Sequence, residues 1–435
     1  MAKEFYLVSD LHFGGDGRLQ VCDFANEFVR FLQDLAEKSA DIELIIIGDT
    51  FGFWELTEFQ GPEQLDDIIK YHREIFEQFK ITGANIQITM MVGNHDYDLA
   101  CDPIYKEKLA LYNIKLDRAL SLTREIAGQK IWLEHGQQLD PFNAAPDYGN
   151  PFALPAGFFI TTNFVAGASL HSTFGASDWL KDIRSVDIRQ LPDWLGSNYF
   201  YNEMNIFLRW LLVPFLLLLT ITIFVLAAQF LKIVGIFDAN ILLDNPLTRA
   251  LGLFGDVLRW VLTISMFVWF FVLTISIPLY LIYRDILRTL TRFQVSPAFK
   301  SPATNEANNS YLDHARAIFA AHPEVCAYIF GHTHDAFLVS ESDGRAIINT
   351  GTWLKILRRV PVRFGLLPAV YYPTFRLNYF RIFEENKKVV VDYVEIPKEP
   401  RERLTVLQRI LTVWRKPGKG KLIPPQTVLR RSNKS

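Results

Sequence analysis

The sequence predicts an α/β domain interrupted by a pair of apolar segments long enough to cross a membrane. Three observations carry this reading. Short β-rich apolar runs recur along the chain, and each ends in a polar, often glycine-flanked cluster. Amphipathic stretches lie between the early runs. Two long segments carry no charge at all.

In chain order the short runs are "EFYLVSDLH", "IELIIIGDT", "IQITMMVGNHD", "KIWLEHGQ", "CAYIFGHTHD" and "RAIINTGTW". They are nearly continuous in hydrophobicity, as strands buried on both faces are. Residues 20–38 and 63–80 have helical amphipathic patterns. Strand–helix alternation places ligand groups at the carboxyl ends of strands. Near the C-terminus, "RLNYFRIFEENKKVVVDYVEI" reads as a β-hairpin turning near Glu385–Lys387. Residues 137–205, rich in Pro, Gly, Asn and aromatics, read as a lid, and 296–310 as a polar linker.

Leu211–Leu231 has 21 residues without charge, and Trp260–Tyr283 has 24. Each can span about 30 Å of hydrocarbon as a helix. Arg209, Lys232, Arg259 and Arg284 bracket them as snorkelling anchors would. Pro214 and Pro278 are compatible with spanning.

Bulk properties agree with a mixed chain. Half the residues are hydrophobic, and the mean hydropathy is +0.11. The net charge of −2 hides an asymmetry, because residues 401–435 hold ten Lys/Arg and one acid, Glu402. An acidic body with a basic tail argues against nucleic-acid binding and fits a tail resting on an anionic surface. Cys22, Cys101 and Cys326 are odd in number and lack metal-type spacing, so no disulfide framework is expected. "MAKEFYLVSD" has no apolar core of signal-peptide length, so a cytosolic setting is expected for the N-terminal part.

The chemistry-bearing residues stand at the ends of the predicted strands. Asp10 and His12 form Asp-x-His, and Asp49 follows Gly48. Asn94, His95 and Asp96 follow Gly93. His135 precedes Gly136, and His332 and His334 complete the set. Each cluster alone has a plain alternative: Asp10 as a helix cap, Gly48-Asp49 as turn chemistry, Asn94 as a turn residue, His135 as a structural histidine. Together, five such clusters suit a pair of divalent ions. Two close cations repel unless carboxylates offset them, and Asp49 is the candidate to bridge both. Neutral imidazoles complete the shells without overcharging the site. The mixture of Asp, Asn and His suits Mn, Fe or Zn, with Mn the first expectation. Paired metals suit in-line attack on phosphorus.

The order Asp-x-His, Gly-Asp, Gly-Asn-His-Asp, His-Gly, Gly-His-Thr-His resembles the calcineurin-like metallophosphoesterases, over about residues 1–140 and 320–355. The resemblance implies a four-layer α/β/β/α sandwich with a two-metal site. It assigns Asp10, His12, Asp49 and His334 to one ion, and Asp49, Asn94, His135 and His332 to the other. It gives His95 the role of protonating the leaving oxygen or holding the phosphate, and gives Asp96 that of orienting His95 from behind. One departure stands out. Relatives often carry an acid three residues after the bridging aspartate, where this chain has Gly52, and Glu55 is the nearby candidate to replace it. His72, His171, His314 and His322 are expected at the surface or in the lid.

The apolar pair lies between His135 and His332, which the site needs close together. The chain must leave and return on one membrane side, and two spans satisfy this. Flanking charge agrees weakly, with eight Lys/Arg in 181–210 plus 284–300 against three in 232–259. The expected organisation is therefore a catalytic half at 1–140, a lid at 141–205, a hairpin at 206–292, a second catalytic half at 311–398 and a basic tail at 399–435. The catalytic domain and both termini are expected to be cytoplasmic. Residues 353–381 mix aromatics with six Lys/Arg, and 401–416 carry Leu404, Leu407, Leu411 and Trp414 at helical spacing, which reads as an interfacial helix. The expected partners are the lipid bilayer and a phosphate-containing substrate, lipid-linked in the most specific version. UDP-2,3-diacylglucosamine hydrolases resemble the chain in Gly-Asp-x-Phe, in Gly-His-Thr-His and in the inserted lid. They differ in carrying arginine at the position of His95 and in lacking two full spans. A phosphodiesterase whose hairpin is only a tether, and a non-enzymatic membrane scaffold, are the remaining readings.

Overall fold

The computed structural model describes residues 4–14, 22–38, 41–56, 59–166, 182–186, 190–236, 246–292, 304–362, 367–400, 403–413, 415, 417 and 422–429. Strands β1 (Glu4–Val8), β2 (Ile42–Ile46), β3 (Gln87–Met90) and β4 (Ile114–Leu116) run parallel in a larger sheet. A smaller sheet holds β5 (Ser121–Ile126), β6 (Gln129–Glu134), β7 (Val325–Phe330), β8 (Phe337–Ser340) and β9 (Ala346–Asn349), in the order β5-β6-β7-β9-β8. β10 (Ile356–Val360) and β11 (Val370–Thr374) pair as a separate ribbon. β12 (Leu377–Glu385), β13 (Lys388–Ile396) and β14 (Gln426–Leu429) extend the larger sheet, giving the order β14-β13-β12-β1-β2-β3-β4.

Strand periodicity sorts the core into layers. Phe5, Leu7, Ile45 and Ile47 face Ile131, Leu133, Ala327, Ile329 and Ile348, so the two sheets pack face to face. Their neighbours Tyr6, Val8, Leu44 and Ile46 point the other way, onto helices. There α1 (Ala25–Ala36) buries Phe28, Phe31, Leu32 and Leu35. On the far side, Tyr311, Ala315 and Phe319 of the helix Thr304–Ala321 cover Tyr328, Phe330 and Ile347. The result is helix, sheet, sheet, helix. Strands β2 and β7 are buried throughout, which explains their unbroken apolar sequences. Trp353 closes the first helical layer, edge-on to Phe28 at 5.2 Å, with its indole N–H donated to the Asn378 carbonyl at 2.8 Å.

Several local expectations need correction. The amphipathic stretch 63–80 is two helices, α2 (Pro62–Tyr71) and α3 (Arg73–Gly83). They part at His72, whose ring is buried and meets the Gly14 carbonyl at 2.5 Å, so this histidine is not at the surface. His171 lies outside the described residues. The β12–β13 hairpin turns through Asn386 and Lys387, both left-handed, as a tight two-residue turn requires. The segment read as a polar linker is already helical from Thr304 onward, and 293–303 lie outside the described residues.

The tail helix is short. A capping box between Thr405 and Gln408 starts it, left-handed Val413 ends it, and it spans only Val406–Thr412. Leu404, Leu407 and Leu411, expected to face lipid, pack instead against Phe200, Tyr201, Leu367 and Val370. The outward apolar residues are Val406, Ile410 and Val413. Trp414 lies outside the described residues.

Two long helices occupy the insertion, Ile206–Ile233 and Leu253–Arg292. They lie side by side, with the Trp269 indole N–H donated to the Leu219 carbonyl at 2.8 Å. Leu253–Asp285 is long and apolar enough to cross a membrane. Leu212, Val213 and Leu216 of the first helix join the cluster around Leu411, which ties the insertion to the body.

Candidate metal centre

The candidate residues sit where strands of both sheets end. Asp10 and His12 follow β1, Asp49 follows β2, Asn94, His95 and Asp96 follow β3, His135 follows β6, and His332 and His334 follow β7. Ten non-glycine residues among those described have left-handed backbones, and five of them are Asp10, His12, Asp49, His332 and His334. Non-glycine residues rarely adopt this conformation, and such outliers cluster where function demands them. Here it turns each side chain sharply inward from its strand end.

The geometry forms two groups that share Asp49. Ligand atoms of Asp10, His12, Asp49 and His334 all lie within 4.8 Å of one another, as do those of Asp49, His135 and His332. His12 Nε2 is 3.1 Å from His334 Nε2, which is 3.2 Å from Asp10 Oδ1. Asp49 Oδ2 is 3.7 Å from His12 Nε2 and 3.2 Å from His135 Nε2. Asn94 Oδ1 joins the second group at 3.3 Å from His135 Nε2. Glycine makes the approach possible: a Cβ on Gly93 would fall 2.1 Å from Asp49 Oδ1, and one on Gly331 2.5 Å from Asp10 Oδ2.

These atoms fit divalent cations. His135 Nδ1 donates to the Ile47 carbonyl at 2.8 Å, which aims Nε2 into the site, where it can carry a proton or ligate a cation. Nε2 faces the oxygens of Asp49 and Asn94, so either a proton on the ring or a cation among these atoms must offset them. Electrostatics points the same way. Burial would raise the Asp49 pKa, but His135 and His95 hold it well below the usual range. Burial likewise opposes ionised Asp10, and the hydrogen bond and charge of His334, together with the charge of His135, outweigh it. Burial lowers the His135 pKa, and Asp49 lifts it past that to about 10. Burial and the neighbouring His95 push His12 down to about 3. Two buried carboxylates thus demand positive charge among imidazoles that cannot all supply it as protons.

His95 lies beside this pair of groups. Its ring stands edge-on to His12 at 4.7 Å and lies against Trp54 at 4.5 Å. Asp96 does not orient it. Asp96 Oδ1 accepts from Gly93 N at 2.6 Å, and Oδ2 from Thr50 N at 2.7 Å and Phe51 N at 3.2 Å. It therefore clamps the loops after β2 and β3, and burial followed by the Asp49 charge lifts its pKa to about 7. The carboxylate facing His95 is Glu55, with Oε1 3.1 Å from Nδ1. A short 3₁₀ turn, Phe53–Glu55, carries it inward and buries it.

Sequence reasoning missed Asp140, whose Oδ2 is 3.1 Å from His332 Nε2. It also missed the "NTGT" loop, where Thr350 Oγ1 meets Ser9 Oγ at 2.7 Å and Thr352 Oγ1 donates to the Asp10 carbonyl at 2.6 Å. Neither has a spacing that marks it in advance, although Asp140 lies close behind His135-Gly136. The lid reaches the site through Phe158, edge-on to Trp54 at 5.8 Å.

Comparison with known proteins gives one family match: residues 4–212 match the calcineurin-like phosphoesterase family. His332 and His334 lie beyond the matched segment and rejoin it only in space. No curated protein sequence matches the chain. Among solved structures, a predicted phosphoesterase from Streptococcus pneumoniae TIGR4 is 10% identical, covering 91% of this chain and 90% of that one, with a TM-score of 0.25. A dimetal phosphatase from Danio rerio is 10% identical, covering 90% and 95%, with a TM-score of 0.32. At such scores neither bears on the assignment, which rests on the family match and the side chains.

Proposed function

We propose that this chain, whose residues 4–212 match the calcineurin-like phosphoesterase family, is a metal-dependent phosphoesterase that cleaves a phosphate ester or pyrophosphate at a membrane surface, using two divalent ions. The observation that carries this reading is the position of Asp49, whose Oδ2 stands between His12 on one side and His135 on the other. Asp10, His12, Asp49 and His334 would hold one ion, and Asp49, Asn94, His135 and His332 the other, with Mn the first choice and Fe or Zn alternatives. When bound, such ions supply a nucleophile at neutral pH and neutralise charge on the phosphate oxygens.

The chain's own residues do the rest. Asp49 is held in place by the His95 backbone N–H, donated to its Oδ1 at 2.8 Å. His95 turns Nδ1 to Glu55, so its proton sits there and Nε2 is left to exchange a proton with the leaving oxygen. Trp54 lies against that imidazole, and Phe158 of the lid packs on Trp54 in turn. Asp96 holds the two loops that carry Asp49 and His95 in register.

The membrane part of the proposal rests on the insertion. Two long helices lie side by side, and many of their apolar side chains, among them Phe267, Phe270, Leu273 and Ile277, are exposed. We place both as spans, with the catalytic domain and both termini on the cytoplasmic side. The lid meets Trp54 through Phe158, and the first of these helices follows the lid in the chain, which favours a lipid-linked substrate. The test is to purify the full chain in detergent, measure bound Mn, and assay a panel of aryl phosphates with lipid-linked and nucleotide-linked pyrophosphates. Two ions per chain and turnover, both lost in Asp49→Asn, are expected. Turnover retained in Asp49→Asn removes the two-ion reading. Equal rates on lipid-linked and soluble pyrophosphates reduce the insertion to a tether.

A further inference from the structure

Asp140 occupies a junction between the metal centre and the lid. It closes the turn after β6, at the end of the 3₁₀ segment Gln137–Leu139. Its two oxygens take three donors. Oδ2 is 3.1 Å from His332 Nε2 and accepts from Asn143 Nδ2 at 2.8 Å, while Oδ1 accepts from Phe142 N at 2.9 Å. An ionised carboxylate only accepts, so His332 Nε2 carries the proton and Nδ1 keeps its lone pair. That Nδ1 is buried and has no hydrogen-bond partner. His332 also belongs to the group with Asp49 and His135. The arrangement is that of a metal-binding histidine braced from behind by a carboxylate.

The same turn grips the lid. Gly157 N donates to the Phe142 carbonyl at 2.8 Å. Asn143 Oδ1 lies only 2.2 Å from where a Cβ on Gly157 would stand, so the lid helix Ala156–Ile160 presses directly on the residue that Asp140 holds. The next residue of that helix, Phe158, meets Trp54, and Trp54 lies on His95. One short path therefore joins His332 to the lid, and the lid joins it to His95.

We propose that Asp140 is a positioning residue that fixes His332 with Nδ1 turned toward Asp49 and His135, and that through Phe142 and Asn143 it makes this orientation depend on the docking of the lid helix. The proposal rests on the two-ion reading of the site. Its consequence is that loading of the His332-side ion and closure of the lid favour each other. The His334-side ion, held by Asp10 and His12, is not part of the path.

The test uses the full chain in detergent, stripped of metal and titrated with Mn against a fluorescent chelator. Hydrogen exchange at the lid is measured in parallel. Asp140→Ala is expected to weaken one of the two binding steps by about 10–100-fold while the other moves by less than about threefold. Asp140→Asn, which keeps the side-chain volume, and Asn143→Ala, which removes the amide that Asp140 holds, are expected to weaken the same step to a smaller extent. All three are expected to speed amide exchange at Gly157, a readout that a purely structural role in the β6 turn would not tie to one metal step. A wild type that binds two ions, with both steps and Gly157 exchange untouched in the variants, overturns the role of Asp140 alone. A wild type that binds fewer than two ions overturns the two-ion reading and this proposal with it.

Discussion

Glu55→Gln isolates the charge behind His95. Glu55 Oε1 stands 3.1 Å from His95 Nδ1, with the two side chains 4% and 19% exposed. Unit charges at that separation attract by about 5 kcal/mol at an effective dielectric constant of about 20. The attraction exists only while His95 is an imidazolium, so Glu55 favours the form that can give a proton away. Glutamine keeps an acceptor near Nδ1 and removes the charge. Water at the partly exposed ring and the amide dipole recover part of the loss. The remaining deficit is about 1.4–2.7 kcal/mol, or about 10–100-fold in rate. The assay is kcat on aryl phosphates of different leaving ability, with bound metal measured on the same samples. Phenyl phosphate needs its leaving oxygen protonated and should take the full loss. 4-Nitrophenyl phosphate leaves readily without a proton and should lose little. Equal losses on both substrates, or a parallel loss of metal, would refute the reasoning.

Two stability predictions accompany it. Gly93→Ala drives a methyl group into Asp49 Oδ1 and the Asp49 backbone N, 2.1 and 2.4 Å away. It should cost about 1–3 kcal/mol by overpacking and reduce metal uptake. Gly196→Ala, at an exposed position of the helix Leu191–Asn198 with nothing within 4 Å of the new Cβ, should instead stabilise by about 0.5–1 kcal/mol. Thermal unfolding in detergent compares the pair, and equal shifts would rule out the contact at Asp49. Trp353→Ala empties a fully buried site packed by Phe24, Phe28 and Phe31. It should destabilise by about 3–5 kcal/mol, and a shift below 1 °C would contradict the packing.

Much of this chain was legible because its information is local. An apolar run ending in Gly-Asp or Gly-Asn-His names a strand and the group at its tip. Both β2 and β7 are buried throughout, as their unbroken apolar runs imply. The Asn386–Lys387 turn follows from a few adjacent residues, whereas α1 begins at Ala25, later than the amphipathic stretch from residue 20 suggested. The candidate ligands were legible for the same reason, since each stands within a few residues of its strand.

What failed was direction. Asp96 adjoins His95 in the chain yet turns to the backbone of Thr50, Phe51 and Gly93, leaving His95 to Glu55. The leucines of 404–411 have helical spacing, and periodicity says that such a stripe is covered without saying by what. The cover is Phe200, Tyr201 and Val370, not lipid.

The sequence by itself determined which residues alternate into the core, where strands stop and which side chains wait at their ends. Only the tertiary structure decided that His332 N meets Asp10 Oδ2 at 3.0 Å across 322 residues, and that Asp140 stands behind His332. The physical reason is that periodicity encodes how often a residue is buried along one dimension. The choice of neighbour is made when two sheets pack face to face, and left-handed residues at their ends can be held in place only after that packing exists.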